Sequence, residues 1–246
     1  MRIPQVGGPC KMNAIPRIYI DPGHSSVDPG AVGYEVERDL NEKVSKYQSE
    51  HLLANYVCET KIDPVTNNSL QAVADAANAW NADLFVSNHF NAGGGDGYEA
   101  LVHNEDRIQL GNVFEKHVLA IGQNSRGVKL RPNLAVLRLT DMPAVLNEGA
   151  FVDNKKDIED WNDDAELKKL GIAYADACAE WLNLEKKNVD PAPVPEPESA
   201  PKGSLYRVFD AAGKQVGAYS YEENAINEAK KQLRAGGATK ITLSDK

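Results

Sequence analysis

The chain has 246 residues and a formal net charge of −9, with 42% hydrophobic and 26% charged residues. This is an ordinary globular composition, and the length suffices for one large domain and a small one without disulfide bonds. No apolar run reaches the ~18 residues of a membrane span, and an acidic chain binds nucleic acid poorly because phosphate affinity comes largely from Lys and Arg. We therefore expect neither a membrane nor a nucleic acid as a partner.

Residues 1–15 are predicted to form a loose, flexible N-terminal extension. This segment lacks the apolar stretch of ~7–15 residues that marks a secretory signal. Three cysteines in the whole chain are too few for a disulfide scaffold. We therefore expect the protein to be made in the cytoplasm of the host without a signal peptide.

Strand and helix patterns alternate over residues 16–187. The predicted strands cover residues 17–20, 57–62, 84–87, 98–102, 134–138 and 144–151. The predicted helices, in which apolar residues recur every three or four positions, cover residues 39–55, 70–80, 106–122 and 167–181. This alternation predicts an α/β fold in which a mostly parallel sheet carries helices on both faces.

A proline-rich segment over residues 188–203 separates this body from the tail. Its alternating prolines favour an extended polyproline II conformation, so we expect a semi-rigid linker. The tail, residues 204–246, is predicted to fold as strand, glycine turn, strand, helix and strand, which is a small α+β domain. Residues 202–246 carry eight Lys and Arg against five Asp and Glu, so the acidic charge belongs to the body.

Polar residues stand at the ends of three predicted strands, where parallel sheets bind their ligands. His24 follows the first strand, His89 follows the strand at 84–87, and Glu148 ends an otherwise apolar strand. A buried carboxylate is costly unless it is paired or bound to a metal. Two imidazoles and a carboxylate suit Zn²⁺, which takes nitrogen and oxygen ligands.

A further ligand is expected from the acidic cluster between the first strand and the first helix. Glu35, Glu37 and Asp39 are the candidates, and their spacing does not choose among them. The cluster is also compatible with a plainer role, because acidic residues complement the positive end of a helix. The spacing alone indicates a metal site and says nothing about the substrate.

Five segments in order resemble those of the zinc-dependent N-acetylmuramoyl-L-alanine amidases, peptidoglycan hydrolases with a parallel-sheet α/β fold. The segments are DPGHSSVDPGAVG, ERDLN, ADLFVSNHFNA, SRGVKLRPNLAVLR and PAVLNEGAFVDN. The resemblance implies that His24, Glu37 and His89 bind Zn²⁺ and that Glu148 is the catalytic residue. Glu35 is the alternative to Glu37.

Two departures from the family pattern accompany this resemblance. Ser25 and Ser26 follow His24 where the family usually has glycine, and Val73 stands where an arginine is common. Neither departure removes an expected ligand. Asn91 and Glu99 are close to the expected site in sequence and are candidates for substrate contact.

The resemblance implies that a zinc-activated water hydrolyses the amide bond between N-acetylmuramic acid and L-alanine in bacterial peptidoglycan. A cytoplasmic protein with a substrate outside the membrane is typical of a phage endolysin, which acts on the wall after release. The alternatives are a bacterial autolysin or sporulation amidase, a zinc peptidase that cuts within the stem peptide, and an inactive wall-binding protein.

The tail itself resembles one half of a sporulation-related repeat that binds glycan strands of the wall. The resemblance rests on VGAYS, the following ENA and the glycine pair at 236–237. We expect a cell-wall-binding domain at 204–246. The alternative is a solubilising or dimerising appendage, through which the chain would form a homo-oligomer.

Overall fold

The computed structural model describes residues 15–64, 69–187, 204–210, 214–219, 225 and 240–245. They belong to two compact units, of which the first ends at Lys187. The predicted linker at 188–203 and all but the last residue of the predicted N-terminal extension lie outside the described residues. Within the described part, no helix is long and apolar enough to cross a membrane.

A six-stranded sheet forms the centre of the first unit, in the order β2-β1-β3-β6-β4-β5. Neighbouring strands are parallel except for the antiparallel pair β4 and β6. The strands are β1 (Arg17–Pro22), β2 (Glu59–Ile62), β3 (Leu84–Asn91), β4 (Tyr98–Val102), β5 (Ser125–Leu130) and β6 (Ala144–Phe151). The predicted mostly parallel sheet is confirmed.

Helices cover both faces of this sheet and divide the interior into two cores. α1, α3 and α6 contribute to the larger core, and α2 and α4 to the smaller one. The helices are α1 (Glu37–Asn55), α2 (Leu70–Ala79), α3 (Ile108–Ala120), α4 (Ala135–Arg138), α5 (Lys155–Glu159) and α6 (Asp164–Leu182). The α/β architecture with helices on both faces is therefore also confirmed.

Alternate residues of each central strand enter opposite cores. Ile18 and Ile20 of β1 lie in the larger core, whereas Tyr19 between them stacks on Phe85 of β3 in the smaller one. Side chains of a strand alternate between its two faces, so a stretch of strand that is covered on both sides is apolar at every position. This explains the continuous apolar runs at 18–20, 84–86 and 144–146.

The prediction of a strand at 134–138 is wrong. Ala135–Arg138 forms the single helical turn α4, which buries Val136 and Leu137 in the smaller core. A short apolar run fits a strand or a buried helical turn equally well, so its pattern could not decide. The strand in this region is β5, Ser125–Leu130, which lies at the edge of the sheet and is largely half-exposed. Because an edge strand of this kind buries few side chains, its sequence shows no alternation of apolar and polar residues.

The second unit contains an antiparallel sheet in the order β8-β7-β9. Its strands are β7 (Ser204–Phe209), β8 (Gln215–Tyr219) and β9 (Lys240–Asp245). The helix predicted between the last two strands falls mostly outside the described residues. Ala225, which is described there, is helical and packs with Val208 in a small core.

Candidate functional site

Three side chains meet where β1 and β3 end. The carboxylate of Glu37 lies between two imidazoles: its Oε2 is 3.0 Å from His24 Nε2, and its Oε1 is 2.8 Å from His89 Nδ1. One nitrogen or oxygen from each of the three residues falls within 4.8 Å of the others. Of the acidic cluster, Glu37 alone joins the two histidines, and the three residues together could hold a metal ion.

Two glycines permit this close approach. A Cβ atom on Gly23, directly after β1, would lie 2.1 Å from His89 Nε2. Gly30 has a φ of +68°, and a Cβ there would lie 2.6 Å from Glu37 Oε2. Positive φ and close backbone approach are the conditions that call for glycine. The DPGH and DPG sequences are therefore the local means of bringing the three side chains together.

The backbone holds the carboxylate of Glu37 in place. Glu37 is the first residue of α1 and is 4% exposed. Its Oε2 accepts a hydrogen bond from the Ala31 amide at 2.8 Å, and its Oε1 accepts one from the Phe90 amide at 3.3 Å. Burial opposes ionisation, but the hydrogen bonds from the two histidines outweigh it and lower the pKa of Glu37. The group is an anion at neutral pH.

The two histidines are oriented by carboxylates. His24 adopts a φ of 74°, and its Nδ1 lies 3.0 Å from Asp28 Oδ2. The hydrogen bond to Glu37, together with Asp28, raises the pKa of His24 to about 9. Burial opposes protonation of His89, yet Glu37 still raises its pKa. A carboxylate on the far nitrogen of an imidazole is the usual device that orients a metal-binding histidine.

Glu148 lies beside this cluster on the neighbouring strand. It is the register partner of His89 across the parallel pair β3 and β6, so both side chains leave the same face of the sheet. Burial raises the pKa of Glu148 to about 7, with Glu37 and Glu99 adding to the shift and His89 opposing it. Its Oε2 is buried and has no hydrogen-bond partner among the described residues.

A chain of buried amides fixes the register of these two strands. Tyr98 Oη donates to Asn147 Oδ1 at 2.7 Å, and Asn147 Nδ2 donates to Asn88 Oδ1 at 3.3 Å. Asn88 Nδ2 in turn donates to Gln48 Oε1 of α1 at 2.7 Å. The two asparagines directly precede the histidine and the glutamate of the site. Sequence reasoning missed this chain, although asparagines inside apolar strands are its signal.

The remaining sequence candidates lie elsewhere. Glu35 Oε1 accepts a hydrogen bond from Asn162 Nδ2 at 3.2 Å, and Asp39 pairs with Arg38 at 2.7 Å. Neither acid belongs to the cluster with the histidines. Glu99 is the register partner of Glu148 on β4 and lies 3.5 Å from Asn91 Nδ2. The two candidates for substrate contact are therefore neighbours of the site.

The departures from the family pattern leave the cluster intact. Ser25 is buried and exchanges backbone hydrogen bonds with Asp28 at 3.0 and 3.1 Å, which closes the loop that carries His24. Val73 lies in the smaller core, 5% exposed. Ser25 and Val73 are thus each accommodated by local packing and do not disturb the cluster of His24, Glu37 and His89.

Two imidazoles and a carboxylate, with a further carboxyl close by, are the donor set of a metal-dependent hydrolase. The model of the N-acetylmuramoyl-L-alanine amidase family matches residues 18–180, which include β2 to β6 and most of β1 and α6. The chain belongs to this family, as the five sequence segments indicated. Membership makes it a hydrolase of the amide bond that attaches the peptide to the glycan of peptidoglycan.

Curated relatives come from both bacteria and a phage. The amidase CwlM of Bacillus licheniformis is 31% identical over 183 residues, which cover 69% of this chain and 70% of the relative. The endolysin of Bacillus phage SPP1 is 33% identical over 192 residues, 73% of this chain and 70% of the relative. The sporulation-specific N-acetylmuramoyl-L-alanine amidase of Bacillus subtilis is 27% identical over 243 residues, 93% of this chain and 85% of the relative.

A solved structure shares the fold. The catalytic domain of the amidase CwlV from Bacillus (Paenibacillus) polymyxa superimposes with a TM-score of 0.66 at 28% identity. The superposition covers 70% of this chain and all of that domain. The first unit therefore has the architecture of an amidase catalytic domain.

Proposed function

We propose that the chain cleaves the amide between the lactyl carbonyl of N-acetylmuramic acid and L-alanine with the help of Zn²⁺. In this proposal His24, Glu37 and His89 hold the metal and Glu148 is the general base. The observation that carries the proposal is the buried Oε2 of Glu148, which has no hydrogen-bond partner among the described residues and lies on the strand beside His89. A buried carboxyl oxygen without a partner is costly and calls for a function.

The residues fit the metal. Glu37 lies 2.8 and 3.0 Å from the two ring nitrogens, close to the ~3.3 Å that separates ligands around a tetrahedral ion with bonds of ~2.0 Å. Three protein ligands leave a fourth position for water, which is typical of catalytic zinc rather than structural zinc. The Asp28 carboxylate on Nδ1 of His24 leaves Nε2 as the ligand atom.

Glu148 supplies the proton transfers. When bound, Zn²⁺ polarises the scissile carbonyl and lowers the pKa of a water molecule toward ~7. Glu148 accepts a proton from that water at its free oxygen and later returns a proton to the departing amine of L-alanine. A carboxyl group whose pKa is near neutrality can do both, because it exchanges a proton at little cost in either direction.

The proposal is tested by identifying the chain ends that the protein creates in peptidoglycan. Purified protein is incubated with peptidoglycan, once with Zn²⁺ and once after chelation, and free amino-terminal residues are identified. We expect new amino-terminal alanine, no new reducing ends, and loss of both activity and product after chelation. Other amino-terminal residues would instead indicate a peptidase that cuts within the stem, and no release with Zn²⁺ present would overturn the enzyme.

We propose a phage-type endolysin as the biological role, supported by the 33% identity to the SPP1 endolysin. A sporulation amidase is the second candidate, because the relative of that name aligns over 93% of this chain and so extends into the second unit. The neighbouring genes distinguish the two roles. A small membrane-spanning holin next to the gene supports the endolysin, and a sporulation operon supports the alternative.

We also propose that the second unit binds the cell wall. A wall anchor raises the local concentration of substrate around the tethered enzyme. The full chain and residues 12–188 are added separately to purified walls, and pelleting and lysis are measured. Stronger pelleting and faster lysis by the full chain support targeting. Equal values for both proteins overturn it, and a concentration-dependent mass of the full chain would indicate self-association instead.

A further inference from the structure

A pair of cations lies on β5, two strands beyond the strand of Glu148. Arg126 Nε and Lys129 Nζ of β5 both contact one oxygen, Oε1, of Glu99. Glu99 is 5% exposed and is the register partner of Glu148 on β4. His89, Glu148 and Glu99 thus form a row across the adjacent strands β3, β6 and β4, and the cations extend that row to β5.

A β-bulge between β4 and β5 directs these cations at Glu99. Between the pairs Tyr98–Ser125 and Ala100–Val128 the register shifts, so that Arg126 and Gly127 both stand opposite Glu99. Gly127 has a φ of +87°, which strains any other residue. Such bulges are enriched beside active sites, where they redirect a side chain. The glycine after Arg126 is therefore a requirement of this geometry.

Arg126 is held in place while part of its guanidinium stays available. Its Cζ lies 5.2 Å from the ring centroid of Phe151, and its Nε contacts Glu99. Within the described residues, neither terminal nitrogen of Arg126 has a hydrogen-bond partner, and the side chain is 41% exposed. A guanidinium fixed at one edge and open at the other matches the two oxygens of a carboxylate.

A second arginine shows what a purely structural ion pair looks like here. Arg17 is the first residue of β1, at the end of the strand away from the site. Its Nε contacts Glu59 at 3.0 Å, and its Cζ lies 5.7 Å from the ring centroid of Trp80. Its terminal Nη1, however, donates to the Trp80 carbonyl at 3.2 Å. Among the residues that the structure describes, one cation pairs with Glu59, whereas two pair with Glu99 and leave a net positive charge beside the acidic site.

We infer that Arg126 and Lys129 bind a carboxylate of the substrate peptide, one or two residues beyond the scissile amide. This inference rests on the proposed amidase function. Strands lie ~4.8 Å apart, so β5 is ~10 Å from the strand of Glu148. About three residues of an extended peptide span that distance. Because both cationic side chains reach toward the site, a carboxylate one or two residues from the scissile amide can meet them. Glu99 is a positioning residue that holds the two cations.

The test compares two defined substrates. Both are N-acetylmuramoyl-L-alanyl peptides whose second residue is D-glutamate joined through its γ-carboxyl; the α-carboxyl is free in one and a carboxamide in the other. The full chain loaded with Zn²⁺ is expected to cleave the free carboxylate with a kcat/KM about 10- to 100-fold higher, because charge-assisted hydrogen bonds are the strong ones.

Four variants complete the design. Arg126→Gln and Lys129→Gln should each shrink that preference, and the double variant should bring the ratio of the two kcat/KM values close to 1. Arg17→Gln, the matched control, should keep the full preference. Equal losses on both substrates, or no preference in the unmodified chain, would overturn the carboxylate site. Cleavage of neither substrate by the unmodified chain would instead overturn the proposed function.

Discussion

Strands β3 and β6 each change character along their length, and the change separates stability from chemistry. Their first halves, residues 84–86 and 144–146, are apolar and at most 4% exposed. Their second halves carry the buried asparagines, His89 and Glu148. One ladder of backbone hydrogen bonds runs through both halves, so the site inherits its geometry from the strands that form the core.

The two halves also differ in how completely their groups are satisfied. Apolar side chains in the first halves gain stability simply by leaving water. In the second halves, Glu148 keeps a buried oxygen for which the described part of the chain offers no hydrogen-bond partner, beside the anionic Glu37. This arrangement costs stability, and in the proposed function it serves catalysis. Substitutions in the first halves should therefore change stability but not activity, and substitutions in the second halves should change activity.

The largest expected effect is loss of the metal. Glu37→Gln removes the charge between the two imidazoles, and the variant should bind Zn²⁺ far more weakly and lose activity completely. Glu35→Gln is the matched control, because Glu35 lies nearby, bonds Asn162 and stands outside the cluster. Bound zinc per protein is measured after dialysis. Retention of zinc by Glu37→Gln together with loss by Glu35→Gln would reverse the ligand assignment.

The next effect separates catalysis from metal binding. Glu148→Gln keeps the shape of the side chain but cannot take up a proton, so kcat should fall by ~10²- to 10⁴-fold. Zinc content should be unchanged, and the melting temperature should hold or rise, because a carboxyl that burial disfavours is replaced by a neutral amide. Glu159→Gln on the exposed part of α5 is the control. Substantial residual activity in Glu148→Gln would disprove the assignment of the base.

A change in the first half of β3 should do the opposite. Leu84 is fully buried in the larger core, and Leu84→Ala should lower the free energy of unfolding by ~2–5 kcal/mol through lost burial and the cavity left behind. Urea denaturation measures this loss. At a temperature where the variant is folded, its zinc content and kcat should equal those of the unmodified chain. A parallel fall in kcat would mean that the two halves are not separable.

The same division explains how much the sequence could reveal. The first halves of the strands are apolar runs, and the strands at 17–20, 84–87, 98–102 and 144–151 all appear in the sheet. The edge strand β5 was missed because it is half-exposed or exposed along its length and only Val128 and Leu130 of it are apolar. Residues 134–138 were misassigned because four apolar residues carry no period long enough to distinguish a turn of helix from a strand.

The part of the candidate site that lies at strand ends or in short sequence motifs could be predicted. His24, His89 and Glu148 were found because polar residues directly follow or end apolar strands. Spacing alone left Glu35, Glu37 and Asp39 equivalent, since only the fold of the 22–36 loop determines which carboxylate enters the cluster. The cations of β5 could not be found in this way, because they reach Glu99 through a bulge that has no signature in the residue pattern.

The last expected effect is the pH dependence of zinc binding. The hydrogen bond to Glu37 raises the pKa of His24 to about 9, so below that pH the ligand nitrogen carries a proton that the metal must displace. Zinc affinity should therefore rise with pH by about tenfold per unit for each displaced proton, and level off above about 9. Calorimetric titration in two buffers of different ionisation enthalpy measures the number of protons released when zinc binds.

A variant tests the role of His24. Asp28→Asn removes the carboxylate that stabilises protonated His24 through Nδ1, so it should reduce the number of protons released at pH 8. The control Asp176→Asn, beside His51, should leave that number unchanged. An affinity that is flat between pH 6 and 9 would show that the triad does not hold the ion through His24.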